Sequence, residues 1–348
     1  MKKALVGSVL AGVLLRLAVL AGAGDTLAAW VREVEDRRVL SSALQWTQQL
    51  EPTPPPEETP QETPPPERES HIVLVAVTPQ PVFETMEEAV SSGETAPPLT
   101  VAADLSAETR LNNRTSIDLD LDALCAEGLD LRLPSDGPQV LIFHTHSSEA
   151  YTQEGEDNYA ESDPYRTEDK SKSVIRVGDE LAERLEAYGI SVLHDREIYD
   201  YPSYTGSYGR SGAAAEQYLA AYPSIRVVID LHRDALGDGD VVYKTKAVVS
   251  GETSAQVMLV MGTGDNGLWH PNWRENLKLA LYLQNAMDDA APGLARPIEL
   301  VKERYNQQLS KGMMILEVGS TGNTLQEALS AIRLFADAVG PALAELKE

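Results

Sequence analysis

Cysteine is almost missing from this chain. Cys125 is the only one in 348 residues. That excludes an intramolecular disulfide, a CxxC redox motif and a cysteine-rich zinc site, and leaves His, Asp and Glu as the side chains able to hold a metal. Basic residues are also scarce: 29 Lys and Arg stand against 54 Asp and Glu, a formal charge of −25. Such a surface repels DNA, RNA and anionic lipid headgroups, which disfavours nucleic-acid binding. It identifies no substrate, because acidity also serves solubility. No internal repeat is present. What remains is an ordinary hydrophobic content of 43%, enough for a sizeable core, in a length that suits one or two domains plus tails.

The one long apolar run is at the start. "MKKALVGSVLAGVLLRLAVLAGAGDTLAAW" opens with two lysines and almost lacks a polar face. It reads as a signal anchor or a cleaved signal peptide over residues 1–24, with "AGA" (21–23) as the cleavage candidate. Arg16, within the run, costs insertion energy on the order of 2.5–3.5 kcal/mol. Either way the bulk of the chain is exported: to the outer face of the cell membrane on a single-pass anchor, or to the cell-wall space. Residues 25–50 are expected to form a juxtamembrane helix. Residues 51–110 read as an acidic, Pro-rich linker, largely disordered, because "EPTPPPEETPQETPPPERES" combines polyproline II preference with mutually repelling glutamates.

From about residue 111 to 348 the pattern is that of one folded domain. "QVLIFH", "ISVLHD", "IRVVIDLH", "VVYKTKAVVS", "AQVMLVMG" and "GMMILEVGS" are continuous apolar strands. Between and after them, "SKSVIRVGDELAERLEAYG", "SGAAAEQYLAAY", "WRENLKLALYLQNAMDDA" and "TLQEALSAIRLFADAV" carry helical periodicity, with a serine cap and Gly189 bounding the first. Alternation of this kind predicts an α/β fold: a mostly parallel central sheet flanked by helices.

Sites in such sheets form beyond the carboxyl ends of the strands. Three of these strands end in reactive groups: "VLIFHTHSSE" in His144, His146 and Glu149, "VVIDLHRDA" in His232, Arg233 and Asp234, and "MMILEVGS" in Glu317. Imidazoles and carboxylates suit zinc, and a catalytic zinc takes three protein ligands with a fourth position open. His146-Ser-Ser-Glu149 is an H-x-x-E spacing whose ends share a face if one helical turn follows the strand. His232 supplies a third ligand and Glu317 a general base. His144 either orients a ligand or is itself the ligand in place of His146, which leads because the H-x-x-E spacing includes it. Arg233 or a serine of the HTHSSE turn is the candidate for stabilising an oxyanion. Asn306 and Gln307, with Trp269, Trp273 and Tyr305, are candidates to line a substrate groove. Against each stands an ordinary structural reading: a single histidine after a strand more often packs or caps than binds, a buried glutamate is often a salt-bridge partner, and His194 and His270 read as structural or substrate-edge residues. The zinc reading rests on all four positions together.

"VLIFHTHSSEAY", "VVIDLHRDA" and "RYNQQLSKGMMILEVGSTGNTLQEAL" resemble, in this order, signature segments of the stage II sporulation protein P family, peptidoglycan hydrolases of spore-forming bacteria; the resemblance covers roughly residue 111 to the end. That family is in turn similar to zinc-dependent N-acetylmuramoyl-L-alanine amidases. The resemblance implies an amidase-like domain with Zn2+ on His146 (or His144), Glu149 and His232, and Glu317 as the catalytic glutamate. It implies cleavage of the amide joining muramic acid to the stem peptide, with endopeptidase action on cross-links as an addition. It further implies work at the septal membrane during engulfment, alongside stage II sporulation proteins D and M. In one respect the chain departs from the wider amidases: only two residues separate the first histidine from the glutamate, without a glycine-rich turn, which bears on the identity of the carboxylate ligand. Two other classes stay in competition: an anchored wall-binding scaffold without catalysis, and a zinc carboxypeptidase, for which Arg233 is the one candidate carboxylate clamp.

Overall fold

The computed structural model describes residues 73–74, 98–103, 105, 110–237 and 241–348, all within the unit Arg68–Glu348. The expected membrane segment (1–24) and juxtamembrane helix (25–50) lie outside the described residues, as does most of the Pro-rich linker. Among the described residues no helix is long and apolar enough to cross a membrane.

In chain order the elements are β1 (Val73–Leu74), β2 (Leu99–Ala103), β3 (Leu111–Asn113), α1 (Leu121–Ala126), β4 (Val140–Phe143), α2 (Val174–Ala187), β5 (Val192–His194) and α3 (Ser207–Ala221). There follow β6 (Val227–Asp234), β7 (Val241–Thr245), β8 (Ala247–Val249), β9 (Glu252–Ser254), β10 (Val257–Gly262), α4 (Trp273–Ala290), β11 (Ile298–Val301), β12 (Met313–Ser320) and α5 (Leu325–Ala344). Seven strands make the central sheet in the order β3-β11-β10-β12-β6-β4-β5. Its pairings are parallel except β10 with β12. The expected mostly parallel α/β sheet is therefore what forms.

Local signals place the helices. Ser173 caps α2, its hydroxyl accepting from Ile175 N–H, and Gly189 follows the helix at φ 76. Thr324 and Glu327 close a capping box on α5. The expected "WRENLKLALYLQNAMDDA" helix is α4, end to end. Helix α5 runs past the predicted stretch, taking Pro341 into its last turns.

The strands' two-residue alternation divides the sheet chemically. One face carries Ile142, Ile229, Leu231, Leu316, Leu259 and Leu300 into the main core, against Leu181 of α2, Leu279 of α4 and Phe335 of α5. Truncating a fully buried leucine here, such as Leu316, costs about 2–5 kcal/mol through the cavity it leaves. The other face carries Leu141, Phe143, Val228 and Met313 under Ala215 of α3, a smaller cluster. On that second face, farther along the same strands, stand Asp230, His232 and Glu317 in place of apolar residues.

Two expectations are corrected. "VVYKTKAVVS" is not one strand: Val241–Thr245 joins β1 and β2 in a separate three-stranded sheet, and Ala247–Val249 forms a hairpin with β9. And Leu99–Ala103, inside the linker bounds of 51–110 although "LTVAADL" there reads as a short element leading into the domain, is strand β2, parallel to β7. Its partner lies some 140 residues away, so nothing local in an acidic neighbourhood announces the pairing. β11 was also unsignalled, because "IELV" is too short to stand out.

Candidate active site

The chain leaves β4 at His144 into a tight turn in which Glu149 N–H donates to His146 O at 3.1 Å. It is a turn, not the helical turn expected, but it brings the two ends of H-x-x-E close together all the same. Two buried carboxylates brace it. Thr145 donates to Asp230 through its N–H (2.7 Å) and its hydroxyl (2.6 Å). Ser148 donates to Asp200 through its N–H (3.0 Å) and its hydroxyl (2.7 Å).

Strand β6 runs alongside and delivers His232. Its Nδ1 lies 3.4 Å from Glu149 Oε2, and its Nε2 lies 2.8 Å from Asp230 Oδ1, at ion-pair distance but off the line of a hydrogen bond. The His146 and His232 rings meet edge to face with centroids 5.3 Å apart. Strand β12 pairs with β6 so that Glu317 is directly opposite His232. Just beyond, β12 bulges: the register shifts between Glu317 and Ser320, with Gly319 at φ 67. A Cβ there would stand 3.1 Å from Ala255 Cβ in a backbone conformation that L residues rarely adopt. The four residues picked out by sequence therefore share one face and one end of the sheet.

Their electrostatics differ. Burial alone would raise the Glu149 carboxyl, but the Arg233 charge, His232 and Arg166 outweigh it and hold it well below the usual carboxylate range. Burial would lower His232; the charge and contact of Asp230, then Glu149, override it and raise the imidazole well above its ordinary value. Burial lowers His146 to about 4, against the opposing pull of Glu149. Glu317 keeps part of its surface open, yet its Oε2 is buried without a hydrogen-bond partner. Burial pushes its carboxyl up to about 8, with His232 opposing and Asp234 and Glu149 reinforcing.

Several sequence candidates have other work. His144 turns away from the site: its Nδ1 faces Leu231 O and its Nε2 faces His194 Nε2, both at 2.8 Å. The two histidines are not side by side as on an extended strand, because the turn begins between them. Arg233 donates through its N–H to Glu149 Oε2 (3.2 Å), through Nε to Ala150 O (2.9 Å) and through Nη2 to Tyr165 O (3.2 Å). It is a clamp on Glu149 and the following chain, and this geometry does not direct it at an oxyanion. Gln307 is fully buried, bridging Gly262 N–H and Val260 O. Asn306 donates to Tyr208 O at 2.8 Å and pins α3. Both side chains are engaged in hydrogen bonds within the fold.

The residues that sequence reasoning missed are Asp230, Asp200, Arg166, Tyr204 and Tyr208. An aspartate inside the apolar run "VVIDLH" was a readable signal. The tyrosines lie in or beside an irregular loop, "YDYPSYTGSYG", where no periodicity marks them. Tyr204 stacks on His146 (4.4 Å, 6° between planes) and Tyr208 meets it edge-on at 5.5 Å.

Among the described residues no group of three or more His, Cys, Asp or Glu side chains stands in ready-made metal coordination. The donor chemistry nevertheless fits a zinc ion. Ligands at about 2.0–2.1 Å in a tetrahedron are about 3.3 Å apart, and His232 Nδ1 and Glu149 Oε2 are at 3.4 Å. His146 Nδ1 is buried without a hydrogen-bond partner. Carboxylates that hold a proton on His232 would equally welcome a cation in its place.

Residues 67–340 match the family described as Stage II sporulation protein P (SpoIIP). Stage II sporulation protein P of Bacillus subtilis (strain 168) is 29% identical over 209 residues, covering 57% of this chain and 49% of that protein; the chain thus spans about half the length of the curated relative it matches. Among solved structures, the N-acetylmuramoyl-L-alanine amidase AmiC2 of Nostoc punctiforme is similar at 11% identity and a TM-score of 0.34, over 60% of this chain and 97% of that one. The CwlD amidase of Clostridioides difficile, solved with the GerS lipoprotein, is similar at 12% and 0.35, over 60% and 98%. The N-acetylmuramyl-L-alanine amidase Ami1 of Mycobacterium smegmatis is similar at 10% and 0.36, over 61% and 98%.

Proposed function

The chain belongs to the stage II sporulation protein P family, and from that premise we propose that it is a sporulation peptidoglycan hydrolase that uses one zinc ion to cleave the amide between N-acetylmuramic acid and the L-alanine of the stem peptide. The observation that carries the reading is the convergence of His146, Glu149, His232 and Glu317 on one face of the sheet, from three separated strands. His146, Glu149 and His232 would hold the zinc, whose contribution when bound is to polarise the carbonyl and ease deprotonation of water. Arg233 fixes the Glu149 carboxylate from behind, and Asp230 fixes His232. Glu317 takes the proton of the attacking water and passes it to the leaving amine, as a carboxylate beside the reacting groups can do in turn as base and acid. Cleavage of stem cross-links by the same site, an N-terminal membrane anchor that holds the domain outside the cell membrane, and work beside stage II sporulation proteins D and M complete the proposal.

The test is mass analysis of fragments released from purified peptidoglycan, with and without EDTA, together with the zinc content of the purified protein. The reading predicts one zinc per chain, chelator-sensitive release and new alanine amino termini. Undiminished release in EDTA by metal-free protein would overturn it; so would sacculus binding with no new amino groups, which is the outcome a scaffold gives. Free terminal amino acids as the product would point instead to a carboxypeptidase.

A further inference from the structure

An enzyme that adds water to an amide must stabilise the negative charge that develops on the carbonyl oxygen, and a donor aimed at that oxygen is among the largest contributions a protein makes. The two arginines at the site are already engaged. Arg233 donates to Ala150 O and Tyr165 O and flanks Glu149. Arg166 donates to Asp200 Oδ2 at 2.6 Å and to Ser148 Oγ at 3.2 Å. The turn hydroxyls are engaged too: Thr145 with Asp230, Ser148 with Asp200, and Ser147 with His144 O and Glu197 O.

Tyr204 is placed differently. Its hydroxyl is 3.0 Å from His146 Nε2, at the edge of the site, while half of the residue's surface (50%) is open to solvent. The ring is held on both counts that matter for aim: it lies parallel to the His146 imidazole at 4.4 Å, and the Arg166 guanidinium sits 4.9 Å from its centroid. A phenol hydroxyl carries its proton at neutral pH and can donate it in a hydrogen bond. An imidazole that binds a cation no longer offers a lone pair to that hydroxyl, which leaves it to donate elsewhere.

We propose that Tyr204 is a catalytic residue whose hydroxyl donates a hydrogen bond to the carbonyl oxygen of the scissile amide as that oxygen becomes negative. The inference rests on the zinc amidase reading above and deepens it. Water oxygen bonds to the carbonyl carbon while the C=O π pair moves to oxygen, where the Tyr204 O–H meets it without transferring its proton. Glu317 receives the water proton. The C–N bond then breaks, the oxygen's pair re-forms C=O, and the Glu317 proton goes to nitrogen, leaving a carboxylic acid on the muramic acid side and a free amine on alanine; the acid's remaining water-derived proton then passes to that amine or to solvent, giving the carboxylate.

The experiment compares wild type, Tyr204→Phe and Tyr204→Ala in the full chain. Three readouts are taken: kcat and KM on a soluble muramyl peptide, zinc content, and zinc affinity by chelator competition. Phenylalanine keeps the ring on His146 and removes only the hydroxyl. The expected result is a fall in kcat of roughly 10²–10³-fold for Tyr204→Phe, with KM within about two-fold and zinc content and affinity unchanged. Wild-type kcat in Tyr204→Phe would overturn the inference while leaving the amidase reading intact. So would a fall in Tyr204→Phe matched by loss of zinc, which would make Tyr204 a support for His146. If Tyr204→Ala alone is impaired, the ring packs and the hydroxyl does nothing. A wild-type protein without zinc, or one indifferent to chelator, removes the reading beneath and the inference with it.

Discussion

His144 and His194 meet Nε2 to Nε2 at 2.8 Å, directly over the Cα of Gly178 in α2. The contact fixes who carries protons. His144 Nδ1 faces Leu231 O, which can only accept, so that nitrogen bears hydrogen. Burial, then the His194 charge, push His144 down to about 3, so it is neutral and its Nε2 accepts. His194 is therefore the donor, and its Nδ1 turns to Asp179 at 3.1 Å. This arrangement exists only because position 178 has no side chain. A Cβ there would stand 2.6 Å from His194 Nε2 and 2.8 Å from His144 Nε2. Gly178→Ala should lower stability by about 1–3 kcal/mol, the usual cost of overpacking, although alanine is the better helix former by up to about 1 kcal/mol. Denaturant unfolding measures it, and an unchanged midpoint would show that the two rings part at no cost.

The same contact separates the histidines of the HTH segment. His146→Ala, Glu149→Gln and His232→Ala should each bring bound zinc from one per chain to a small fraction, by elemental analysis after dialysis. His144→Ala should keep its zinc and lose stability instead. Zinc lost from His144→Ala and kept in His146→Ala would reverse the assignment.

Glu317→Gln should keep zinc and fold while hydrolysis falls by about 10²–10⁴-fold, the range for a removed proton carrier. Glutamine fills the same space opposite His232 but cannot take a proton. Turnover within a few-fold of wild type would take Glu317 out of the base role.

The sequence carried the architecture further than the site. Long apolar strands and capped helices are local signals, and Ser173, Gly189 and Thr324 sit where such signals place helix ends. His146, Glu149, His232 and Glu317 were legible because each follows or interrupts an apolar run with a group that a core rejects. What orients them was not. Arg233 looked like a reactive cation, yet its geometry ties down Glu149. Asn306 and Gln307 looked like substrate ligands because they are polar and follow an aromatic residue; they close hydrogen bonds of buried backbone instead. Partner choice of this kind is decided by tertiary distances that no spacing encodes.

Asp230 is the clearest case of a missed residue with a measurable role. It is fully buried, accepts twice from Thr145 and lies 2.8 Å from His232 Nε2, so it links the turn that bears His146 and Glu149 to the strand that bears His232. Asp230→Asn removes the charge that steadies His232 and retains one acceptor for Thr145. Zinc affinity by chelator competition should drop by roughly 10–100-fold, the usual effect of losing a ligand's supporting carboxylate. Unchanged affinity would mean that His232 is held by Glu149 and packing alone.

His270 offers a test of the fold that does not touch the site chemistry. It is buried, neither ring nitrogen has a hydrogen-bond partner, and Arg304 adds like charge; burial first and Arg304 second lower its pKa to about 4. Unfolded, the same imidazole titrates near 6.5. Between those values the unfolded chain binds a proton that the folded chain refuses, so stability falls as pH drops. The loss should begin below about pH 6.5, deepen to pH 4 and then level off, reaching about 3 kcal/mol. Above pH 7 this residue should contribute no slope. In His270→Leu that part of the profile should be flat, so the difference between the two denaturation curves, taken from pH 8 to pH 4, isolates it. A difference that stays constant across the window would show that His270 finds a partner for its proton in the folded protein.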